Sequence, residues 1–385
     1  MTFRLLLVAH RPPRHPVDGG DGCTTIGHHL LANRPADVEV SVACPSDGRA
    51  MPTVMGEWIE LPTTPGRVRR PSQLVVPRGV LRFDHPAARA VVAAASAEVD
   101  AVLALNHLVA PLLAAARAPV RAAHLVDPES LMAEAAARTA TGSDRVAAHL
   151  RAHRHRTLER RLLRLGADLV VVSPDDARHL SAVLGVDVLA VPIGVPTLDA
   201  PRSPSALPRP GTGLVFTGRL DWAPNIAAAR SLVTEVLPRV RAVVPDATVR
   251  LVGAAPAAEV WALASGAVEV LPDRADLLAE YARNAVAVFP GGHGWGIRGS
   301  VLQAFVAGIP VVASRASLCG QTLGPHAVVA DDPAAQAAAV VGLLRDTSRW
   351  HEAAAASAAY GAGWPTWAAS TDLLVRSLRA RQQAA

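Results

Sequence analysis

Short apolar segments alternate with longer amphipathic segments along the whole chain, and the apolar segments are the length of buried strands. In the first half they are Phe3–Ala9, Val38–Ala43, Ala101–Ala104, Val120–Leu125, Leu169–Ser173 and Val188–Val191. In the second half they are Leu214–Thr217, Val249–Val252, Val268–Leu271, Val286–Phe289, Val311–Ala313 and Ala327–Val329. The segments between them are rich in Ala or Arg and fit helices. This alternation predicts an α/β fold with parallel sheets covered by helices on both faces.

A proline-rich segment, PTLDAPRSPSALPRPGTG, interrupts the pattern and is typical of an interdomain linker. We therefore predict a first Rossmann-like domain at 1–195, a linker at 196–212 and a second Rossmann-like domain at 213–360. A length of 385 residues suits two domains of ordinary size. The remaining tail, 361–385, is an amphipathic helix with two interpretations: it closes the second domain, or it returns to pack on the first.

Composition places the chain among soluble cytoplasmic proteins. Half of the residues are apolar, but no apolar run approaches the roughly 20 residues that span a bilayer. The apolar stretch at the N-terminus is too short for a signal peptide. Cys23, Cys44 and Cys319 lie far apart and show no metal-ligand spacing, so we expect neither disulfides nor a zinc site.

The net charge of +5 comes from arginine alone, because the chain has no lysine. This bias indicates GC-rich coding, as in actinobacteria, more than a function. With aromatic residues at 4% and no basic-aromatic pattern, nucleic-acid binding is not expected. One predicted helix is crowded with arginine: Arg145, Arg151, Arg154, Arg156, Arg160, Arg161 and Arg164. We interpret it as a solvated face over an apolar stripe, with contact to an anionic membrane surface as the less favoured alternative. The stripe is Val146, Leu150, Leu158, Leu162 and Leu165.

The most informative segment is Phe289–Ser314, FPGGHGWGIRGSVLQAFVAGIPVVAS. It predicts a strand, a glycine-rich loop, a helix from about Ser300 to Ala307, a stop at Gly308 and a second strand. In such a βαβ unit, the loop after the first strand and the N–H groups at the helix start form an anion site. Phosphate is the anion that we expect there.

This segment resembles the donor-sugar segment of the GT-B glycosyltransferases, in the retaining group called family 4. The resemblance implies two Rossmann-like domains facing across a cleft, with the nucleotide sugar held by the second domain. Both glutamates of the family's E-x7-E pattern are absent: Trp295 and Gln303 stand in their places. Gln303 could still hold a ribose through neutral hydrogen bonds. The donor-binding residues implied in this segment are His293, Gly294, Trp295, Gly296, Ile297 and Gln303.

A second segment, LVFTGRLDWAPN, resembles the family's start of the donor domain, where an arginine and a lysine clamp the diphosphate. Arg219 matches the arginine, whereas the lysine position falls on Pro224, with Asn225 beside it. The planar guanidinium can donate two hydrogen bonds to a phosphate at once. Arg298 is the candidate for the missing positive charge, the alternative being surface ion pairing. Gly253 and Arg274 correspond to positions that border the nucleotide.

In the first domain, HPVDGGDGCTTIGHHLL resembles the family's glycine loop under the ligand, so Gly19 and Gly20 are predicted to approach the donor. Asp18 or Asp21 would contact an acceptor hydroxyl or cap the following helix. The family often has a histidine at the end of a later strand, near the donor sugar. His124 matches it, and His107 is the second choice.

These residues predict a hexosyltransferase that moves a sugar from a nucleotide-diphosphate sugar to a hydroxyl of a small molecule or glycan. The predicted catalytic residues are His124, Arg219 and Arg298. Following the family, we expect retention of anomeric configuration, no metal and no cofactor, and a place in secondary-metabolite or cell-envelope glycan synthesis. The absent glutamates and lysine motivate a less favoured alternative, a catalytically impaired or partner-dependent GT-B protein that binds a nucleotide sugar without transferring it.

Overall fold

The computed structural model describes residues 2–15, 20–65, 76–196, 211–274, 276–292, 294–321 and 324–384. It consists of two compact units. The first comprises Met1–Ile193 together with Trp367–Ala385, and the second comprises Gly194–Thr366. Most of the predicted linker, 197–210, lies outside the described residues.

The first unit is built on a seven-stranded parallel sheet with the order β3-β2-β1-β4-β5-β6-β7. Its strands are β1 Phe3–Ala9, β2 Val38–Cys44, β3 Glu57–Glu60, β4 Ala101–Leu105, β5 Val120–Val126, β6 Asp168–Val171 and β7 Leu189–Ala190. The sequence predicted all of them except β3. That strand lies at the edge, and its residues EWIE lack the apolar run that marks a strand buried on both faces.

The helices of the first unit are α1 Gly22–Ala32, α2 Pro86–Ala95, α3 Glu129–Thr139, α4 Gly142–Arg164, α5 Pro174–Leu184 and the last helix, α13, Trp367–Ala384. Asp21 caps α1 by accepting the N–H of Thr24, and the hydroxyl of Thr24 accepts the N–H of Asp21 in return. The capping role that we considered for Asp21 is thus confirmed.

The prediction for the arginine-rich helix, α4, needs two corrections. Val146 and Leu150 are 68% and 46% exposed, whereas Leu158 and Leu162 further along the apolar stripe are buried. Arg156 is not on the solvated face: it is buried, and it pairs with Glu134 and Glu159 at 2.9 and 3.1 Å.

The second unit contains a six-stranded parallel sheet with the order β10-β9-β8-β11-β12-β13. Its strands are β8 Gly213–Thr217, β9 Thr248–Gly253, β10 Val268–Pro272, β11 Val286–Phe289, β12 Val311–Ala313 and β13 Ala327–Val329. All six were predicted, the last three with the same bounds. The helices are α6 Ala223–Ser231, α7 Leu237–Arg241, α8 Ala258–Trp261, α9 Leu277–Ala282, α10 Gly299–Val306, α11 Pro333–Arg345 and α12 Thr347–Gly363.

The strand order of each sheet reverses once. In the first unit β1 pairs with β2 on one side and β4 on the other, and in the second unit β8 pairs with β9 and β11. Open parallel sheets bind ligands outside the carboxyl ends of the strands at such a reversal. We therefore expect one binding region at the ends of β1 and β4 and another at the ends of β8 and β11.

The last helix, α13, packs on α1 and β5 of the first unit. The indole of Trp367 stacks on the imidazole of His29 with ring centroids 4.0 Å apart. Near the end of α13, Gln382 donates a hydrogen bond to Asp100. In the part of the chain that the structure describes, no helix is both long enough and apolar enough to span a membrane.

Candidate functional site

Three of the predicted donor-binding segments of the second unit lie at the carboxyl edge of its sheet. Arg219 follows β8, Gly253 ends β9, and the glycine loop 290–298 follows β11 and leads into α10. Gly253 is required by packing: a Cβ atom there would lie 1.7 Å from the carbonyl oxygen of Gly218. The loops after β8 and β9 are therefore in direct backbone contact.

Arg298 lies inside this edge and not on the surface, with only 7% of its area exposed. Its guanidinium donates to Ser317 Oγ at 2.8 Å, to Asn225 Oδ1 at 3.0 Å and to the carbonyl of Gly291. Among the described residues it forms no ion pair with a carboxylate, and burial lowers the pKa of its guanidinium. Burying a cation without an opposite charge costs free energy that a bound anion can offset.

Asn225 connects the two arginines. Its Nδ2 donates to the backbone carbonyl of Arg219 at 2.9 Å, while its Oδ1 accepts from Arg298. The guanidinium of Arg219 is partly exposed and holds Asp221 through two hydrogen bonds of 3.1 and 2.6 Å. Those bonds lower the pKa of the Asp221 carboxyl. From the sequence, Asn225 was noted only because it follows Pro224, which stands at the family's lysine position. Its contacts with the two arginines were not predicted.

The start of α10 presents backbone donors beside Arg298. The N–H groups of Gly299 and Ser300 have no acceptor within the described residues, as is usual for a first helical turn. The buried Tyr281 fixes this turn, because its hydroxyl donates to the carbonyl of Ser300 at 2.5 Å and contacts Thr217. Gly294 is different: its N–H already donates to the carbonyl of Ala316 at 3.2 Å.

The other predicted donor residues surround this core. Trp295, Ile297 and Gln303 are half-buried, and the side chain of Gln303 forms no hydrogen bond within the described residues. Gly294 and Gly296 have φ of 77° and 69°, which favour glycine. His293 lies outside the described residues.

Arg274 follows β10, the edge strand of this sheet. Its side chain is 48% exposed and lies 4.0 Å from Glu280, a buried carboxylate that Arg250 and Arg283 also approach. This ion cluster accounts for its position, so a contact with the nucleotide stays a prediction.

In the first unit, the glycine loop is described only from Gly20 onward, and Gly19 and Asp18 lie outside the described residues. The N–H of Gly20 donates to the carbonyl of His15 at 3.1 Å, and a Cβ atom on Gly20 would lie 2.3 Å from the carbonyl oxygen of Arg14. Gly20 is thus needed by the loop's own backbone.

His124 is almost fully buried near the end of β5. It lines a cavity of about 20 Å³ with residues of α1, α13 and the segment 191–193. Its Nδ1 accepts the N–H of Val126 at 3.2 Å, and burial lowers its pKa to about 4. The ring is therefore neutral at neutral pH, with its proton on Nε2 as a donor.

His107, the second choice, lines a different cavity, of about 10 Å³, with Asp127, Glu129 and His155 among its walls. Of this group, only His107 was predicted from the sequence as a site residue. Two residues beside it, Asn106 and Val126, have φ of 93° and 70°, which is strained for residues other than glycine. Such strain is common at functional sites.

A comparison with protein families gives a match for the second unit. Residues 211–346 match the model of the family described as "Glycosyl transferases group 1", and this match covers most of the second unit. The protein is a glycosyltransferase. A search of curated protein sequences gives no match.

Solved structures share the whole fold of this glycosyltransferase. Sucrose-phosphate synthase from Thermosynechococcus elongatus aligns over 100% of both chains with a TM-score of 0.68 and 16% identity. Anabaena HepE in complex with UDP and glucose aligns over 97% of this chain and 99% of its own, with a TM-score of 0.64 and 15% identity. WaaG, a glycosyltransferase of lipopolysaccharide biosynthesis, covers 96% and 98%, with a TM-score of 0.63 and 13% identity. At these identities the likeness shows the fold, which is GT-B with two Rossmann-like domains.

Proposed function

We propose that the protein transfers a sugar from a nucleotide-diphosphate sugar to an acceptor hydroxyl, with the diphosphate bound at the ends of β8 and β11. The observation that carries this proposal is Arg298, a buried guanidinium with no carboxylate partner within the described residues, at the start of a helix. The backbone N–H groups of Gly299 and Ser300 are two further donors from which an anion can accept hydrogen bonds. An anion of high charge is the ligand that such a site favours.

A diphosphate fits better than a single phosphate because two arginines are linked through one asparagine. Arg219 is paired with Asp221, and it could exchange that carboxylate for a phosphate with the same two-pronged geometry. The structure of HepE was solved with UDP and glucose, which supports a nucleoside diphosphate as the leaving group here as well.

In the proposed reaction the acceptor oxygen attacks the anomeric carbon from the face that the diphosphate leaves. The bond from the anomeric carbon to the phosphate oxygen breaks, the new glycosidic bond forms with retention, and the acceptor proton passes to the departing phosphate. Arg298 and Arg219 stabilise the charge that grows on the diphosphate. This mechanism needs no metal and no cofactor. His124 would donate from Nε2 to an oxygen of the sugar, which stays a prediction.

The first test measures binding and turnover of UDP-, GDP- and dTDP-sugars by titration calorimetry and by release of the nucleoside diphosphate. Arg298→Gln and Arg219→Gln should each weaken binding by about tenfold or more, because each removes a charged hydrogen-bond donor. Arg345→Gln, which changes an exposed arginine at the end of α11, should bind as the unaltered protein does. Because Arg298 also joins three segments, the partly exposed Arg219 keeps the test valid if Arg298→Gln fails to fold.

Unaltered binding in the Arg219 variant would contradict the proposed diphosphate site. Binding without any turnover would instead favour the protein that holds a nucleotide sugar and does not transfer it. With an active donor and acceptor, NMR of the product gives the anomeric configuration, and activity in a chelator tests whether a metal is required. Inversion, or loss of activity in the chelator, would overturn those parts of the proposal.

A further inference from the structure

The first unit contains a small polar cavity that the proposed donor site does not use. It lies at the carboxyl ends of β4 and β5, next to the first turn of α3 and the middle of α4. Its polar walls are His107, Asp127, Glu129, His155 and Glu159. The volume of about 10 Å³ holds a group the size of one water molecule, so only the end of a ligand can enter.

Asp127 lacks a partner of opposite charge. Its carboxylate accepts no hydrogen bond within the described residues. The charged groups that act on it, Asp176 and Glu129, are both acidic. Burial and these two neighbours raise the pKa of Asp127 to about 7. A bound cation would relieve this repulsion.

His155 also faces the cavity without a partner. It is only 6% exposed, and its ring forms no hydrogen bond within the described part of the chain. It packs edge-on against His107, with ring centroids 4.8 Å apart. Burial lowers the pKa of His107 to about 3 and that of His155 to about 4. Both rings are therefore neutral at neutral pH, and each keeps one nitrogen as an acceptor.

The nearby arginines do not neutralise the cavity. Arg156 is held by Glu159 and Glu134 at 3.1 and 2.9 Å. Glu159 also accepts from Ser130 Oγ at 2.9 Å, so its carboxylate is already satisfied. Arg151 acts at longer range on Glu129 and His155, and its side chain is exposed to solvent. The remaining acceptors are Asp127, Glu129 and the two rings.

We propose that this cavity binds a primary ammonium group carried by a hydroxylated small molecule. An ammonium offers three N–H donors and a positive charge in the volume of one water molecule, whereas a hydroxyl offers one donor and no charge. Within the described residues, no three His, Cys, Asp or Glu side chains are arranged to hold a metal ion, which favours an organic cation. This step rests on the proposed function: if the protein is a sugar transferase of the proposed kind, its acceptor is an amine that also carries hydroxyl groups.

The experiment compares two probes of the same ring geometry, aminocyclohexanol and cyclohexanediol, by calorimetric and NMR titration of the full chain without any nucleotide. The amine should bind at least about tenfold more tightly, since a charged hydrogen bond replaces a neutral one. Asp127→Asn should abolish this preference. Asp144→Asn, an exposed position in the first turn of α4, should retain it. The preference should also grow as the pH rises through about 7, because burial raises the pKa of both Asp127 and Glu159 to about 7 and both carboxyl groups ionise there.

Equal binding of the two probes, or a full preference in Asp127→Asn, would overturn the inference. Equal binding of the two probes is the result expected if the natural occupant of the cavity is a water molecule. Because no donor is present, the result is independent of the diphosphate site. A protein that prefers the amine but binds no nucleotide sugar would refute the proposed function alone, and the reverse result would refute this inference alone.

Discussion

Two charges of opposite sign stand out at the scale of single residues. Arg298 in the second unit is buried and Asp127 in the first is half-buried, and neither has an oppositely charged side chain paired with it within the described residues. Each therefore costs stability in the free protein. A sequence that only had to fold would do better with a neutral residue at either position. A bound ligand of opposite charge would pair with each of them and offset this cost.

Because the Asp127 carboxylate lowers the stability of the folded protein, replacing it with a neutral residue should increase stability in a pH-dependent way. In the unfolded chain its pKa returns to about 3.8, whereas in the folded protein it is about 7. Between these values the folded state binds the proton more tightly, so the contribution of Asp127 to stability falls as the pH rises to about 7. Asp127→Asn should thus be more stable by about 4 kcal/mol above this pH and equal to the unaltered protein below about pH 4.

Urea unfolding of the Asn variant and the unaltered chain at several pH values measures this difference. The Asp144→Asn protein serves as the control and should follow the unaltered chain at each pH. If Asp127→Asn were less stable than the unaltered chain at high pH, the Asp127 carboxylate would have a favourable partner, and its charge would not be unpaired.

At the scale of elements, the donor site depends on how α6 and the loop before α10 are joined. Asn225, in the first turn of α6, contacts the backbone of Arg219 and the guanidinium of Arg298. A neutral amide suits this position because it has a donor for the carbonyl and an acceptor for the guanidinium. A carboxylate of the same shape would neutralise Arg298 and remove the charge that an anion needs.

We therefore expect Asn225→Asp to weaken nucleoside-diphosphate binding by more than about tenfold, and more strongly than Asn225→Ala does. Alanine only loosens the connection between the two segments, whereas aspartate also cancels the charge. Calorimetric titration of both variants with UDP, GDP and dTDP tests the order. If alanine were the more damaging change, the amide would matter for packing and the charge of Arg298 would not govern binding.

At the scale of the whole molecule, the strands could be predicted because parallel strands are buried on both faces and form continuous apolar runs. β11, β12 and β13 have the predicted bounds, and β3 was missed because an exposed edge strand has no such run. Helix faces were less predictable. The stripe of α4 fits the helical period, but Val146 and Leu150 are exposed, since the period does not indicate where a covering element ends.

The sites were predictable in part for a similar reason. Arg219 and Arg298 follow from local motifs, since a strand, a turn and a helix start place them at the sheet edge. That Arg298 is buried and held by Asn225 and Ser317 depends on segments distant in sequence. The cavity at Asp127 and His155 joins two helices and two strands, and no short motif marks it. Contacts of this kind require the fold.

The path of the chain predicts how the molecule fails when it is shortened. The chain returns to the first unit for its last helix, whose Leu374, Val375 and Leu378 are at most 3% exposed. Burial of three such side chains contributes about 5 kcal/mol, which is comparable to the stability of a whole domain. A chain that ends at Thr366 should therefore lose most of the stability of its first unit.

Hydrogen exchange with mass spectrometry resolves this loss by segment. In the shortened chain, protection should fall in β1, β4 and β5, whose sheet α13 covers, while the strands between 213 and 329 keep theirs. A chain that ends at Gln382 is the matched control, because it retains the buried residues of α13 and should exchange as the full chain does. Undiminished protection of β1 and β5 in the shorter chain would show that the first unit folds without its last helix.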